Sequence, residues 1–161
     1  MSDEIVIRLA ERRDLPALGR LGALLVRTHH EFDRARLMMP KGDLEEGYAW
    51  FLGTQLDAAD QVIYVAERQG DLLGYVYAGL EPLSWKELRE PAGFVHDVVV
   101  DENARGQGIA GRLVETAAAW LAGRGVPRVM LWTAQKNAPA QRLFDRLGFR
   151  RTMIEMTREA K

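Results

Sequence analysis

The 161-residue chain contains no cysteine. That absence excludes disulfides, thiolate zinc sites and cysteine nucleophiles together. Histidine is scarce too, with three in all, and the adjacent His29 and His30 point different ways on a helix. With no third ligand apparent beside them, no metal site is expected. No apolar run approaches the roughly 20 residues that cross a bilayer. The opening Met-Ser-Asp-Glu has acids first, without the basic start and apolar centre of a secretory signal, so a cytoplasmic location and no membrane association are expected. Neither sign of charge is in excess: the formal net charge is −1, which argues against bulk binding to nucleic acid. What is present, 47% apolar and 28% charged residues with no repeat or linker, is the composition of one globular domain spanning residues 1–161.

Taken in order, Ile5, Ile7 and Leu9 alternate with Val6, Arg8 and Ala10 as a first strand. Asp14 reads as the N-cap of a helix that has Pro16 in its first turn, places Leu15, Leu18, Leu21 and Leu25 on one face and ends near His30. A loop follows, then a second helix from about Asp43 or Leu44 to Leu56. Two strand-like runs, Gln61 to Glu67 and Leu72 to Leu80, flank Arg68-Gln69-Gly70-Asp71, a good hairpin turn. The proline-bracketed segment Glu81 to Ala92 reads as a loop. Further strands are expected at Phe94 to Val100 and Val126 to Thr133. After a short helix capped by Asn137 and ended by Gly148, a last strand is expected at Thr152 to Thr157. The fold class is therefore α+β, a single mixed, mostly antiparallel twisted sheet flanked by helices, in the order βααβββαβαβ.

The most informative stretch is Gly93 to Leu121. An apolar strand runs through Arg105-Gly106-Gln107-Gly108-Ile109-Ala110-Gly111 into a helix whose apolar face carries Ile109, Leu113, Ala117 and Leu121. Glycines let a ligand approach the backbone, and the first turn of the helix offers unpaired N–H groups and the positive end of its dipole. The combination is an anion cradle. A dinucleotide site would want an acidic residue about twenty positions on, where Leu121 to Val126 offers none, and no P-loop string occurs.

Arg-x-x-Gly-x-Ala after Val-Val-Val-Asp-Glu resembles the pyrophosphate-binding signature of the GNAT superfamily of acyl-CoA-dependent N-acyltransferases. A second segment, Asn137 to Phe149 (NAPAQRLFDRLGF), resembles that family's Asn-x-x-Ala-x-x-Leu-Tyr-x-x-Leu-Gly-Phe. The resemblance runs from about Ile5 to Thr157 and implies acetyl-CoA as co-substrate. It implies that Val98, Val99 and Val100 line the pantetheine arm, with Val98 and Val100 offering main-chain hydrogen bonds from a strand that splays from its neighbour. Amides from Arg105, Gly106, Gln107, Gly108, Ile109, Ala110 and Gly111 would hold the pyrophosphate, with Asn137, Ala140 and Phe144 beside the arm. Many relatives have a tyrosine at the Phe144 position that returns a proton to the thiolate. Phenylalanine cannot, so no general acid is carried over, and Phe144 is expected mainly to pack. Such families often form homodimers, and the last strand is a candidate edge for pairing.

The implied reaction is acetyl transfer to a primary amine, of a small molecule or a protein, by direct attack in a ternary complex. The alternative is a non-catalytic acyl-CoA-binding or regulatory module, which the loss of the tyrosine favours. The candidates for the base are His96, whose ordinary pKa suits proton removal near neutrality, and Asp97. Strand alternation is expected to send the two to opposite faces. Acceptor contacts are expected from Glu31, Phe32, Tyr77, Glu81 and Trp85, with Trp85 as a lid.

Overall fold

The computed structural model describes residues 2–161. Its elements are β1 (Val6–Leu9), α1 (Leu15–Phe32), α2 (Leu44–Leu56), β2 (Gln61–Arg68), β3 (Asp71–Glu81), β4 (Ala92–Val100), α3 (Ile109–Gly123), β5 (Val129–Leu131) and α4 (Ala138–Arg146). The five strands form one sheet in chain order. Each of the first three pairings is antiparallel, and β5 joins β4 in parallel. Between β2 and β3 the chain reverses at Gln69 and Gly70, both with positive φ (52° and 89°), as a twist-matched two-residue hairpin requires.

Strand alternation divides the core between the two faces of the sheet. On one face Val76, Ala78 and Val95 meet Ile109, Leu113, Ala117 and Leu121 of α3. On the other, Ile63, Val65, Tyr75, Tyr77 and Val99 meet Leu18 and Leu21 of α1 and Leu52 of α2. Helices α1 and α2 cross closely at glycine: a Cβ on Gly22 would lie 2.0 Å from the Tyr48 ring, so a bare backbone there seats the tyrosine. None of the helices among the described residues is long and apolar enough to cross a membrane.

Four sequence expectations need correction. Thr152 to Thr157 forms no strand, and Met153, Ile154 and Met156 are 83%, 86% and 89% exposed. Consecutive apolar residues at 153 and 154 point to opposite faces of any strand, so no single cover could bury both, and ion pairs Arg36–Glu155 and Arg151–Asp145 hold the segment instead. The observed order thus ends at α4. Strand β5 is three residues rather than eight, because only Val129 to Leu131 has a ladder partner on β4. Helix α1 runs on to Phe32, two residues past the expected end. Asp14 does precede α1, but its carboxylate binds Arg8 (2.8 and 3.0 Å) and the Glu11 N–H rather than capping that helix.

Candidate active site

The glycine turn has the form the sequence called for. Gly106 and Gly108 adopt φ of 80° and 75°, a region L side chains avoid, and a Cβ at either would meet nothing within 4 Å. Gly108 is the N-cap of α3, so the first amides of the helix open beside a bare backbone. The Arg105 guanidinium reaches the Val100 carbonyl (3.4 Å), closing the end of β4. Leu143 of α4 lies 3.6 Å from where a Gly111 Cβ would be, which brings α4 alongside the turn. Asn137 caps α4, accepting the Ala140 N–H at 3.3 Å, and Phe144 packs edge-on against Phe149 (5.9 Å between centroids).

Strands β4 and β5 part where an arm-shaped ligand would enter. They pair only from Gly93↔Val129 to Val95↔Leu131, while β4 continues to Val100. The Asp101 N–H turns to Leu73 on the β3 side (2.7 Å), so by alternation Val98 and Val100 turn theirs the other way, toward the opening. These groups have no β5 partner and are available to a ligand. The cradle and the open edge fit a long phosphorylated thioester.

At the apex of the opening a bulge changes the expected geometry. The β3–β4 register shifts between Tyr77 and Ala78, which pair with Asp97 and Val95 and leave His96 as the extra residue. His96 and Asp97 therefore do not go to opposite faces. The His96 ring lies against Tyr77 (4.9 Å) and stacks over Phe94 (5.9 Å), while Asp97 accepts hydrogen bonds from Tyr48 and from Tyr75 (2.9 Å) on that same side of the sheet.

The two candidate bases have different surroundings. Asp97 is 9% exposed, and burial raises its carboxyl pKa against the opposing pull of the two phenols. The Tyr48 and Tyr75 hydroxyls are pushed well above their ordinary pKa by burial and by Asp97, so both remain donors. Asp97 thus ties β4 to β3 and α2. The His96 side chain is 29% exposed, with its Nε2 3.4 Å from Glu81. Burial lowers its pKa below the ordinary 6.5, with Glu81 and Asp97 acting the other way, and a neutral imidazole at neutral pH follows. His96 opens onto a cavity of about 180 Å³ lined also by Glu81, Phe94, Val95 and Trp132.

Of the acceptor residues expected from the sequence, Glu81 lines this cavity. Tyr77 is largely buried behind His96, its hydroxyl donating to Gln55 (3.0 Å). Trp85 is 86% exposed and does not line the cavity. Glu31 is paired with Arg34 at the surface, and Phe32 packs on His29 (5.6 Å). Sequence reading missed Tyr48, Phe94 and Trp132. Tyr48 lies inside the second helix with no local signal of a role, and its bond to Asp97 spans 49 residues. Trp132, just past the paired part of β5, carried a usable signal: an aromatic residue at the end of a strand beside an expected splay. A larger hollow of about 420 Å³, lined by Arg13, Arg20, Arg68 and Asp101, includes none of the β4–β5 opening, and its Arg20 is paired with Asp101 (2.8 Å).

Comparison with known proteins agrees with this architecture. Residues 26–149 match the acetyltransferase (GNAT) family, and the chain belongs to it. A mycothiol acetyltransferase of Thermomonospora curvata is 35% identical over 94 residues, 58% of this chain and 29% of that protein. The chain thus spans under a third of that relative's length. Among solved structures, a Bacillus halodurans protein superposes with a TM-score of 0.82 at 20% identity, over 96% of this chain and 99% of its own. The aminoglycoside N-acetyltransferase AAC(6')-Iy, in complex with CoA, gives 0.76 at 17% identity, over 100% and 97%. Identities this low carry the fold alone.

Proposed function

We propose that this chain transfers an acetyl group from acetyl-CoA to a primary amine. The observation that carries the reading is the parting of β4 from β5 directly beside the Gly106–Gly108 turn, with His96 at the apex. Amides from Arg105 to Gly111 would hold the pyrophosphate, the main chain of Val98 and Val100 the pantetheine arm, and Asn137, Ala140 and Phe144 the other wall. Acetyl-CoA, when bound, supplies a thioester whose C–S bond breaks as the amine nitrogen forms the amide, releasing CoA.

His96 accepts the proton that the amine must lose, and its lowered pKa keeps the imidazole free to do so at neutral pH. Glu81 faces the same space and attracts the amine as its ammonium form before that transfer. Asp97 holds β4 in register through Tyr48 and Tyr75 and so aims His96. Phe144 has no proton to give; the departing thiolate, conjugate base of a thiol with an ordinary pKa of about 8.5, is protonated from solvent, which also receives the second proton the nitrogen loses as the amide forms.

Calorimetry with acetyl-CoA followed by thiol release across an amine panel tests the reading. Acetyl-CoA binding with turnover of at least one amine is expected. In His96→Ala, kcat/KM falls about 100-fold and the acid limb of its pH profile disappears; an unchanged profile removes His96 as base. Binding without thiol release from any amine would mark a non-catalytic acyl-CoA module. A homodimer rests on a separate pair of observations: Met153, Ile154 and Met156 are exposed, and the β5 edge of the sheet has no outer strand among the described residues. Sedimentation of the whole chain against one ending at Arg151 reads this, with loss of a dimer expected on truncation.

A further inference from the structure

Aromatic rings run in contact from α2 across the sheet to the β5 edge. Tyr48 meets Phe51 (5.8 Å between centroids), Phe51 meets Tyr77 (5.9 Å), and Tyr77 meets His96 (4.9 Å). His96 then stacks over Phe94 (5.9 Å), and Phe94 meets Trp132 edge-on (6.1 Å). The inner members support the core. The outer end does not: Trp132 is 76% exposed, and the cavity lies against it, Phe94 and His96.

The size and charge of that cavity limit what can enter. Its volume, about 180 Å³, is close to the roughly 150 Å³ of an engineered apolar cavity that takes a benzene ring, and below the roughly 300 Å³ at which pockets for larger ligands begin. Of its two carboxylates, Glu87 is paired with Arg89 at 2.8 Å, and the Arg89 guanidinium lies over the Phe94 ring (5.2 Å). The other, Glu81, has His96 as its neighbour. One negative charge therefore faces an aromatic surface, a combination that attracts an ammonium carried on an apolar frame. A polyhydroxylated amine would need a hydrogen-bond partner for each hydroxyl, and Phe94, Val95 and Trp132 offer no side-chain acceptor.

We propose that the acceptor is a primary amine joined by a short alkyl chain to a single aromatic ring, the ring lying against the exposed Trp132 and beside Phe94, with the amine beside Glu81 and His96. This rests on the amine-acetylation reading above. The ring sets specificity through stacking, and Glu81 sets it through charge.

The test compares 2-phenylethylamine, 2-cyclohexylethylamine and glucosamine at saturating acetyl-CoA. The expected kcat/KM for 2-phenylethylamine exceeds that for glucosamine by tenfold or more, with 2-cyclohexylethylamine between them. Trp132→Ala lowers the 2-phenylethylamine value about fivefold more than the glucosamine value, while Trp132→Phe restores most of that difference. A preference for glucosamine, or an equal loss for all three amines in Trp132→Ala, would overturn the proposal. Calorimetry of 2-phenylethylamine with the CoA-loaded protein separates the two readings. Ring binding that depends on Trp132 without acetyl transfer upholds the aromatic site and overturns the acetylation reading. Transfer to other amines without binding of 2-phenylethylamine overturns the aromatic site alone.

Discussion

The two strands that enclose the proposed cleft are held very differently. Strand β4 is embedded: β3 pairs with it along its length, α3 covers one face and α1 with α2 the other. Strand β5 has three paired residues, all half-buried, and beyond Leu121 none of the described residues is buried. The same cleft thus has one wall fixed by the core and one held by a few contacts. His96, Glu81 and the glycine turn belong to the first; Trp132, Asn137 and Phe144 belong to the second. A site that must close around a long ligand and then release it is served by this asymmetry, because low local stability is where such motion comes from.

The largest expected effect tests the asymmetry itself. Leu121, fully buried between α3 and the sheet, should cost about 3–4 kcal/mol when truncated to alanine. Leu143 on α4 is only half-buried, and its truncation should cost less than about 1 kcal/mol. Urea unfolding of the two variants measures both. Equal losses would show that the second wall is as firmly built as the first.

A smaller effect is expected at Asp97, where the fixed wall is pinned. Asp97→Ala leaves the Tyr48 and Tyr75 hydroxyls without their buried acceptor and should cost about 2–3 kcal/mol. In Asp97→Asn an amide oxygen still accepts from both phenols, so the loss should stay within about 1 kcal/mol. The pH dependence gives a further check. Burial raises the folded-state pKa of Asp97 above 3.8, so its contribution to stability is fully present below 3.8 and is lost as pH rises through the folded value. An asparagine does not titrate, and the Asp97→Asn protein should therefore gain on the parent as pH rises from 3.8 through the folded value. A constant difference across that range would mean that Asp97 is not held in a destabilising environment.

The embedded wall is also the part that could be read from the sequence. Short apolar runs rich in β-branched and aromatic residues marked β2, β3 and β4, Gln69-Gly70 marked the hairpin, and the i, i+4 row from Ile109 to Leu121 marked α3, because in each the side chains answer to a core. The glycine turn was legible for a related reason: positive φ at Gly106 and Gly108 restricts the residue type. Nothing local announces the bulge at His96. It depends on Tyr48 and Tyr75 drawing Asp97 toward α2, contacts 49 and 22 residues apart. The last strand failed for the opposite reason. Thr152 to Thr157 has strand-forming residues, but propensity without a paired neighbour and a cover does not make a strand.

The smallest effect lies within the fixed wall, between Glu81 and His96. Burial lowers the His96 pKa below 6.5, and the Glu81 carboxylate, 3.4 Å from Nε2, together with Asp97 pushes it partly back. Replacing Glu81 by glutamine removes one of the two opposing charges. The His96 pKa should then fall further, by less than about one unit because the ring is partly solvated. The acid limb of kcat/KM should move to lower pH by the same amount, although loss of the amine's carboxylate partner raises KM. The ratio of activity at about pH 5.5 to that at pH 7.5 cancels the KM effect and should increase. A direct titration of the His96 ring by NMR, simple to assign in a chain with three histidines, gives the shift without turnover. If the ring titrates unchanged while the activity limb moves, the limb belongs to another group and His96 loses its role as base. Movement of both toward alkaline pH would show that Glu81 does not act on His96 as a charge, and the electrostatic link between the two would have to be abandoned.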